Sequence, residues 1–362
     1  MNESVYHYSL LTALILMCFL GFHMLIARVP EKKALSTFLL SRRLMGTALL
    51  ILAANYSVHF AFELRLRDVD AAILFNMATY FLCYWLFSSA LMILLEKSYI
   101  TRRRFAVHLL LWLAYSALAS SLSLFITDTV TKTWGTIALA CLLVGYGLFL
   151  SSRLLRTYYK AVKLSEDTSS DDIGSYIRWL SVFTYWAIAF GVSCGLLTFL
   201  PDEYVFIWVL SAVPFYIYLY CCYQNYIYFH EQVENAIIEG PELAEDEEVP
   251  AYHTDIARRI EGWIDNEGYR KPGITLNELA IDLCTNRTYL SEHIHRTFNM
   301  SFRDWISDMR IEYAKRLMMK SPQMKIQDIS EASGFLSISH FSRTFSEKEG
   351  CSPARWRKNN TV

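Results

Sequence analysis

The sequence lacks the residue groupings that would mark a metal site or a catalytic centre. Its eight cysteines form no Cys-x-x-Cys pair and no Cys/His spacing that would suit zinc. It contains no phosphate-binding loop, no His-Glu-x-x-His motif and no recognisable pairing of a nucleophile with a base. We therefore predict that the protein is not an enzyme, that it uses no metal ion or other cofactor, and that its cysteines are small buried apolar side chains.

Charge is scarce, and its distribution divides the chain into three parts. Charged residues make up 19% of the chain, hydrophobic residues make up 54%, and the net charge is −1. Residues 1–228 carry 17 Lys and Arg against 13 Asp and Glu, and residues 251–362 carry 17 against 14. Residues 229–250 carry 8 acidic residues and no basic ones. These differences predict a membrane domain over 1–228, an acidic linker over 229–250 and a separate polar domain over 251–362.

Long apolar runs fill the first part of the chain. Seven of them approach the ~20 residues that a membrane-spanning helix needs. They run approximately over Tyr8–Ala27, Leu44–Glu63, Ala72–Leu95, Phe105–Thr127, Trp134–Ser152, Ile177–Leu200 and Tyr204–Tyr228. If the N-terminus lies outside, the internal loops hold 14 Lys and Arg and the external loops hold 3. This bias predicts an outer N-terminus and a cytoplasmic C-terminus, in agreement with an odd number of spans.

Two ionisable residues lie within the second apolar segment. His59 and Glu63 are four residues apart, so on a helix they share one face. Ionisable groups in membrane segments often serve function, and the pair is therefore a candidate site for an unknown signal ligand. The alternative is a hydrogen-bonded pair at the membrane–water interface. Two residues are too few to form a metal site.

The last part of the chain shows helical periodicity and no strand pattern. Thr275 and Glu278 have the spacing of a capping box at the start of one short helix, and a second short amphipathic helix follows the turn 284–286. This is the outline of a helix-turn-helix unit. The outline recurs, because Tyr289-Leu290-Ser291 matches His340-Phe341-Ser342 at an offset of 51 residues, whereas the offset before the turn is 50.

The two units are separated by a continuous helical pattern over 301–320. Such a helix would be about 27 Å long, which would allow the second helix of each unit to enter successive major grooves of DNA. The predicted fold class is therefore all-α. It combines a seven-span transmembrane helix bundle with a cytoplasmic domain of two tandem helix-turn-helix units joined by a long helix.

The C-terminal sequence resembles that of AraC/XylS-type transcription regulators. The resemblance covers about 252–360 and does not extend to the membrane part. In the second unit it is carried by Gly334, Phe335, Phe341, Arg343, Phe345, Gly350, Pro353 and Arg357. In the first half of the C-terminal sequence the resemblance is carried by Leu279, Ala280, Leu290, Phe302, Arg310 and Ala314. The resemblance implies sequence-specific binding to double-stranded DNA.

Candidate DNA contacts follow from the helix-turn-helix geometry. The N-terminal, outward face of each second helix meets base edges. In the two units together these positions are Ser339, His340, Arg343, Thr288, Ser291 and Glu292. Arg343 suits a bidentate contact with guanine. Glu292 departs from the basic residue that the AraC/XylS-type pattern often has at this position. Its carboxylate would either accept a hydrogen bond from cytosine or weaken the contact. Candidate phosphate contacts are Arg287, Arg296, Arg355 and Lys358.

These observations predict a one-component transcription regulator embedded in the bacterial cytoplasmic membrane. Its expected partners are DNA, the lipid bilayer, an unknown signal ligand, a second copy of the chain and, for an activator, RNA polymerase. Residues 230–239 contain helix formers that could carry movement of the last span to the DNA-binding domain. Two alternatives stay open. In the first, the membrane part serves only as a tether or as a proteolytic precursor. In the second, the chain is a transporter or intramembrane enzyme with a DNA-binding tail.

Overall fold

The computed structural model describes residues 3–28, 35–170, 173–197, 204–228 and 256–360, together with residues 230 and 233. These residues are mostly helical, and their β-structure is limited to an isolated bridge between Ser169 and Thr275. The all-α prediction is confirmed for this part of the chain. The predicted linker 229–250 lies outside the described residues except at 230 and 233.

The chain divides into two compact bodies. Body 1 consists of Met1–Tyr159 and Arg178–Glu231, and body 2 consists of Lys160–Ile177 and Gln232–Val362. The boundary therefore assigns a short internal segment of the N-terminal half to the same body as the C-terminal domain.

Eight helices lie in the N-terminal two thirds of the described chain. They are α1 (Glu3–Ile26), α2 (Ser36–Phe62), α3 (Leu64–Arg67), α4 (Val69–Leu95), α5 (Arg102–Phe125), α6 (Thr129–Thr168), α7 (Ile173–Leu197) and α8 (Val205–Tyr226). Among the described residues, six helices are long and apolar enough to cross a membrane, namely α1, α2, α4, α5, α6 and α8. The predicted segment Ile177–Leu200 coincides with most of α7, which is not one of the six. The count of seven spans stays a prediction.

Close helix packing in body 1 depends on small residues. A Cβ atom on Gly46 would lie 3.0 Å from the carbonyl oxygen of Gly21, and a Cβ atom on Gly21 would lie 2.8 Å from Leu50. Glycine at both positions therefore lets α1 and α2 approach each other, as small residues commonly do between membrane helices. The hydroxyl groups of Ser41 and Tyr223, 2.8 Å apart, join α2 to α8.

The helices of body 1 also present large apolar side chains at the surface. These side chains include Phe19, Phe22, Leu110, Leu118, Leu124, Phe125, Leu142 and Phe149. Soluble monomeric proteins seldom expose contiguous apolar surface on this scale. Exposed apolar faces on helices long enough to span a bilayer support a lipid-facing role for body 1.

The C-terminal domain contains seven further helices in the described residues. They are α9 (Ile256–Asp265), α10 (Leu276–Asp282), α11 (Arg287–Phe298), α12 (Phe302–Lys320), α13 (Ile326–Ala332), α14 (Ile338–Glu349) and α15 (Pro353–Asn360), with a 3-10 turn at Gly268–Arg270. The bounds of α10 and α13 differ by 50 residues, and those of α11 and α14 differ by 51. The sequence repeat is thus confirmed as a structural repeat.

Each helix-turn-helix unit has its own apolar core. The first core includes Leu279, Leu290 and Ile294, and the second includes Ile329, Phe341 and Phe345. Helix α12 contributes to both cores, with Trp305 and Ile306 in the first and Ile311, Ala314 and Met318 in the second. Its 19 residues give a spacer of about 28 Å that fixes the two units relative to each other.

Candidate nucleic-acid interface

The turn of each helix-turn-helix unit contains one residue in the left-handed region. This residue is Cys284 in the first unit, with φ 49°, and Gly334 in the second, with φ 87°. A Cβ atom on Gly334 would lie only 2.5 Å from the carbonyl oxygen of Arg270. Glycine is therefore required at 334 both by the backbone conformation and by the close approach of another chain segment.

Local capping positions the second helix of each unit. The side chain of Asn286 accepts a hydrogen bond from the backbone N–H of Tyr289 at 2.7 Å, and that of Ser337 accepts from the N–H of His340 at 3.2 Å. The predicted capping box of Thr275 and Glu278 is also present on α10. Caps of this kind satisfy N–H groups that the helix itself leaves without partners.

Helix α14 separates its side chains into a buried face and an exposed face. Phe341 and Phe345 are completely buried against the second core, whereas Ser339 and Arg343 are exposed. Ser339 and Arg343 are four residues apart, so they lie on the same face of α14. The structure thus places two of the predicted base-contacting residues together at the N-terminal half of a surface helix.

The side chain of His340 takes a different position from the one expected of a base contact. His340 is 6% exposed, and its ring meets that of Phe335 edge to face at a centroid distance of 5.3 Å. Phe335 itself is buried in the second core. The imidazole therefore packs against the turn and is not exposed for contact with a base.

Helix α11 carries an acid, Glu292, at the repeat position where α14 carries Arg343. Thr288 and Glu292 are exposed and Ser291 is half-buried. The carboxylate of Glu292 forms an ion pair of 2.5 Å with Arg296 one turn further along the helix. Two residues predicted to contact DNA separately are therefore paired with each other, which lowers the positive charge that Arg296 offers to a phosphate.

The other predicted phosphate contacts lie at two places. Arg287 is half-buried at the first turn of α11. Arg355 and Lys358 are exposed on α15, whose first turn is capped by Ser352 through the N–H of Arg355 at 3.4 Å. Basic side chains of this kind are suited to contact the DNA backbone.

Several further basic residues of the domain are engaged in internal contacts. Arg357 donates to the carbonyl oxygen of Met324, and Lys348 pairs with Asp308. Lys315 donates to Glu312, and this hydrogen bond, which outweighs desolvation by burial, raises the pKa of Lys315. These cations hold the scaffold together, so only part of the domain's positive charge faces outward. The nonspecific attraction to DNA should accordingly be moderate.

Two apolar residues at the start of α14 were not identified from the sequence. Ile338 is 44% exposed and Leu336 is 38% exposed, beside the exposed Ser339. Apolar side chains at such positions suit contact with the methyl group of thymine. The repeat offers a signal for Ile338, because Ile338 stands 51 residues after Arg287, a predicted phosphate contact.

The two candidate signal residues in the membrane part have separate partners. The Nε2 atom of His59 is 2.8 Å from the amide oxygen of Asn76, whereas Glu63 lies 3.5 Å from His7. His59 lines a cavity of about 50 Å³ together with Arg65. Among the described residues, no group of three or more His, Cys, Asp and Glu is arranged to hold a metal ion.

The paired units, their caps and their exposed second helices define the C-terminal part as a DNA-binding domain of the helix-turn-helix class. Comparison with known families agrees, because residues 279–359 match the family model described as a helix-turn-helix domain. The match supports the resemblance of the C-terminal domain to AraC/XylS-type regulators.

Several curated transcription regulators are similar to this domain. The HTH-type transcriptional regulator ExsA of Pseudomonas aeruginosa is 34% identical over 83 residues, which cover 23% of this chain and 30% of ExsA. The transcriptional activator NphR of a Rhodococcus species is 29% identical over 132 residues, which cover 35% of this chain and 37% of NphR. The virulence regulon transcriptional activator VirF of Yersinia enterocolitica is 33% identical over 85 residues, covering 24% of this chain and 31% of VirF.

The similarity is confined to a part of each protein. The chain spans about a third of the length of these curated relatives. No solved structure matches the chain. These matches support a DNA-binding role for the C-terminal domain.

Proposed function

We propose that the chain is a membrane-embedded, one-component transcription regulator. Its C-terminal domain binds specific DNA through α11 and α14, and its membrane part couples a signal from the bilayer or the outer compartment to promoter occupancy. The observation that carries this proposal is that one chain combines a paired helix-turn-helix domain with six helices, among its described residues, that are long and apolar enough to cross a membrane. A fusion of this kind needs no separate phosphorylated messenger.

The proposed DNA surface follows the exposed residues. Ser339 and Arg343 read bases from α14, and Thr288, Ser291 and Glu292 face the DNA from α11. Arg287, Arg296, Arg355 and Lys358 contact phosphates. Two relatives are named as activators, so contact with RNA polymerase is part of the proposal. A second copy of the chain would raise the effective concentration of a neighbouring DNA-binding domain and tighten binding to paired sites.

The decisive experiment is genome-wide mapping of DNA crosslinked to the tagged, full-length protein in its native host. We expect discrete sites upstream of genes. These sites should be lost from the Arg343→Ala variant at equal protein level, since Arg343 is placed to read a base. Crosslinking spread evenly over the genome, or none at all, would contradict sequence-specific regulation.

The proposed location is the bacterial cytoplasmic membrane, with the C-terminal domain in the cytoplasm. Compartment reporters fused near Asp68 and Lys132 should report the outer side, and those near Thr101 and Ser165 should report the cytoplasm. The expectation follows from the excess of Lys and Arg in the predicted internal loops. A cytoplasmic reading at Lys132 would contradict the seven-span topology.

We propose the small cavity beside His59 as the signal site. A His59→Gln variant should lose the difference in promoter output between growth conditions to which the wild-type protein responds. Glu63→Gln is the matched control, because Glu63 pairs with His7. The same loss of response in both variants would place the signal site elsewhere.

A further inference from the structure

An internal segment of the N-terminal half is built into the DNA-binding body. Helix α6 continues to Thr168, well beyond the apolar stretch Trp134–Ser152 from which the fifth span is predicted. Residues from Lys160 onward belong to body 2. In this segment Ser165, Ser169 and Ser170 are at most 3% exposed. We call residues 160–170 the control segment.

The control segment contacts the first helix-turn-helix unit through its backbone. The N–H of Ser170 donates to the carbonyl oxygen of Ile274 at 3.1 Å, and Ser169 forms an antiparallel bridge with Thr275. Thr275 is the capping residue of α10. The segment therefore pairs with the backbone just where the first helix of the first unit begins.

Two side-chain contacts join the control segment to α12. A guanidinium nitrogen of Arg303 lies 3.1 Å from a carboxylate oxygen of Glu166, and Arg310 donates to the hydroxyl oxygen of Ser170 at 3.2 Å. The residues in these contacts are 137 and 140 positions apart in the chain. They attach the segment to the helix that connects the two helix-turn-helix units.

Arg310 shows why this attachment matters to the domain. Arg310 is fully buried and also donates to the carbonyl oxygens of Tyr269 and Lys271, at 2.7 and 2.8 Å. A buried guanidinium has five N–H donors, and each donor without an acceptor costs stability. Ser170 thus supplies an acceptor to an arginine that holds the 3-10 turn of the first unit against α12.

The contacts lie away from the residues assigned to DNA. The control segment meets the start of α10 and the side of α12, whereas Thr288 and Glu292 on α11 stay exposed with the segment in place. The segment therefore supports the first unit and does not cover its DNA surface.

We propose that the control segment is the element through which the membrane part sets DNA binding, and that its docked position is the DNA-competent one. The inference rests on the proposed function. Because α6 contains a candidate span and most of the control segment, displacement of that helix withdraws Glu166 from α12 and Ser170 from the first unit. This assigns the coupling to the control segment, which follows the fifth predicted span. The sequence alone had suggested residues 230–239, which follow the seventh.

The test exchanges the charges of the Glu166–Arg303 pair in the full-length protein. Glu166→Arg and Arg303→Glu are made singly and together, and occupancy is measured by crosslinking at the wild-type sites in the host. Asp167→Arg is the matched control, because Asp167 is the next residue and has no ion pair in the described part of the chain. Hydrogen exchange at the Ser170 amide reports docking independently of DNA.

Each single variant should lower occupancy about two- to fivefold, which corresponds to the free energy that a partly exposed ion pair contributes. The double variant should restore occupancy. The loss should depend mainly on the half-site read by the first unit. Asp167→Arg should retain wild-type occupancy. A double variant no better than the weaker single variant would overturn the proposal, as would rapid exchange at Ser170 in the wild-type protein. If the wild-type protein crosslinks no DNA, the proposed function is wrong. Hydrogen exchange at the Ser170 amide still tests whether the control segment is docked on the first unit.

Discussion

The two helix-turn-helix units share one design, yet their charges run in opposite order. Glu292 and Arg343 occupy the same position in the repeat, 51 residues apart, and Arg296 likewise corresponds to Glu347. In the first unit the acid comes first and pairs with the arginine. In the second unit the arginine comes first, in the N-terminal half of α14. The second unit is therefore better suited to read a base, since Arg bonds guanine in a bidentate manner.

The units also differ in what holds them in place. The control segment contacts the first unit at Ile274 and Thr275, while the second unit approaches the backbone of Arg270 closely at Gly334. This difference suggests a division of work in which the second unit supplies specificity and the first unit responds to the membrane part. Four substitutions, from the largest expected effect to the smallest, test that division.

Gly334→Ala should have the largest effect, a loss of about 3 kcal/mol in the stability of the C-terminal domain. The new Cβ combines the cost of the left-handed backbone with a collision against Arg270. Gly350→Ala is the matched control, because Gly350 also has a positive φ but meets open space, and it should cost about 1 kcal/mol. Pulse proteolysis of the full-length protein measures both. Equal losses would show that the approach to Arg270 is unimportant.

Arg343→Ala should lose about 1–3 kcal/mol of binding free energy at one base pair and relax the preference there. Lys358→Ala should instead weaken binding to all sequences to the same extent, since Lys358 is proposed to contact phosphate. Binding of the full-length protein in nanodiscs to a set of single-base variants of a mapped site distinguishes the two. If Arg343→Ala weakened every sequence equally, Arg343 would be a phosphate contact and the second unit would lose its special role.

Cys284→Gly should stabilise the first unit by about 0.5–1 kcal/mol. Cys284 adopts a left-handed conformation that glycine accepts with less strain, and the second unit already has glycine at the equivalent position. Cys284→Ala keeps a Cβ atom and should bring no gain. Pulse proteolysis again provides the measurement, and a gain of the same size from alanine would point to removal of the thiol as the cause.

Glu292→Gln should have the smallest effect, an increase in DNA affinity of about two- to threefold. Loss of the carboxylate releases Arg296 for a phosphate, so the dependence of affinity on salt should become steeper by about one counterion. Glu331→Gln, on a helix that we do not assign to the DNA surface, is the control. An unchanged salt dependence would mean that Arg296 does not reach the DNA backbone.

The sequence was sufficient for those features that depend on neighbouring residues. The capping box of Thr275 and Glu278 follows from local hydrogen bonding, and the helix predicted over 301–320 follows from apolar spacing. Both are confirmed, the helix over Phe302–Lys320. The offset of the repeat also located the extra residue in the second turn, between Gly334 and Ser337.

Other features depend on residues that are distant in the chain. Nothing in the local sequence distinguishes Glu166 from other charged residues near a membrane span, because its partner Arg303 lies 137 residues away. The inward position of His340 depends on the ring of Phe335. The pairing of Glu292 with Arg296 was visible as a spacing of four residues, but the prediction assigned the two residues to DNA separately.

The assembly of body 2 from two separated stretches has a consequence for protein engineering. A chimera that carries only residues 251–362 would leave behind Ser170 and Glu166, and with them an acceptor for Arg310 and the counterion of Arg303. Such a graft separates the DNA-binding domain from a segment against which it folds. A functional transplant should therefore include residues 160–177 as well, which makes this regulator less modular than its linear sequence suggests.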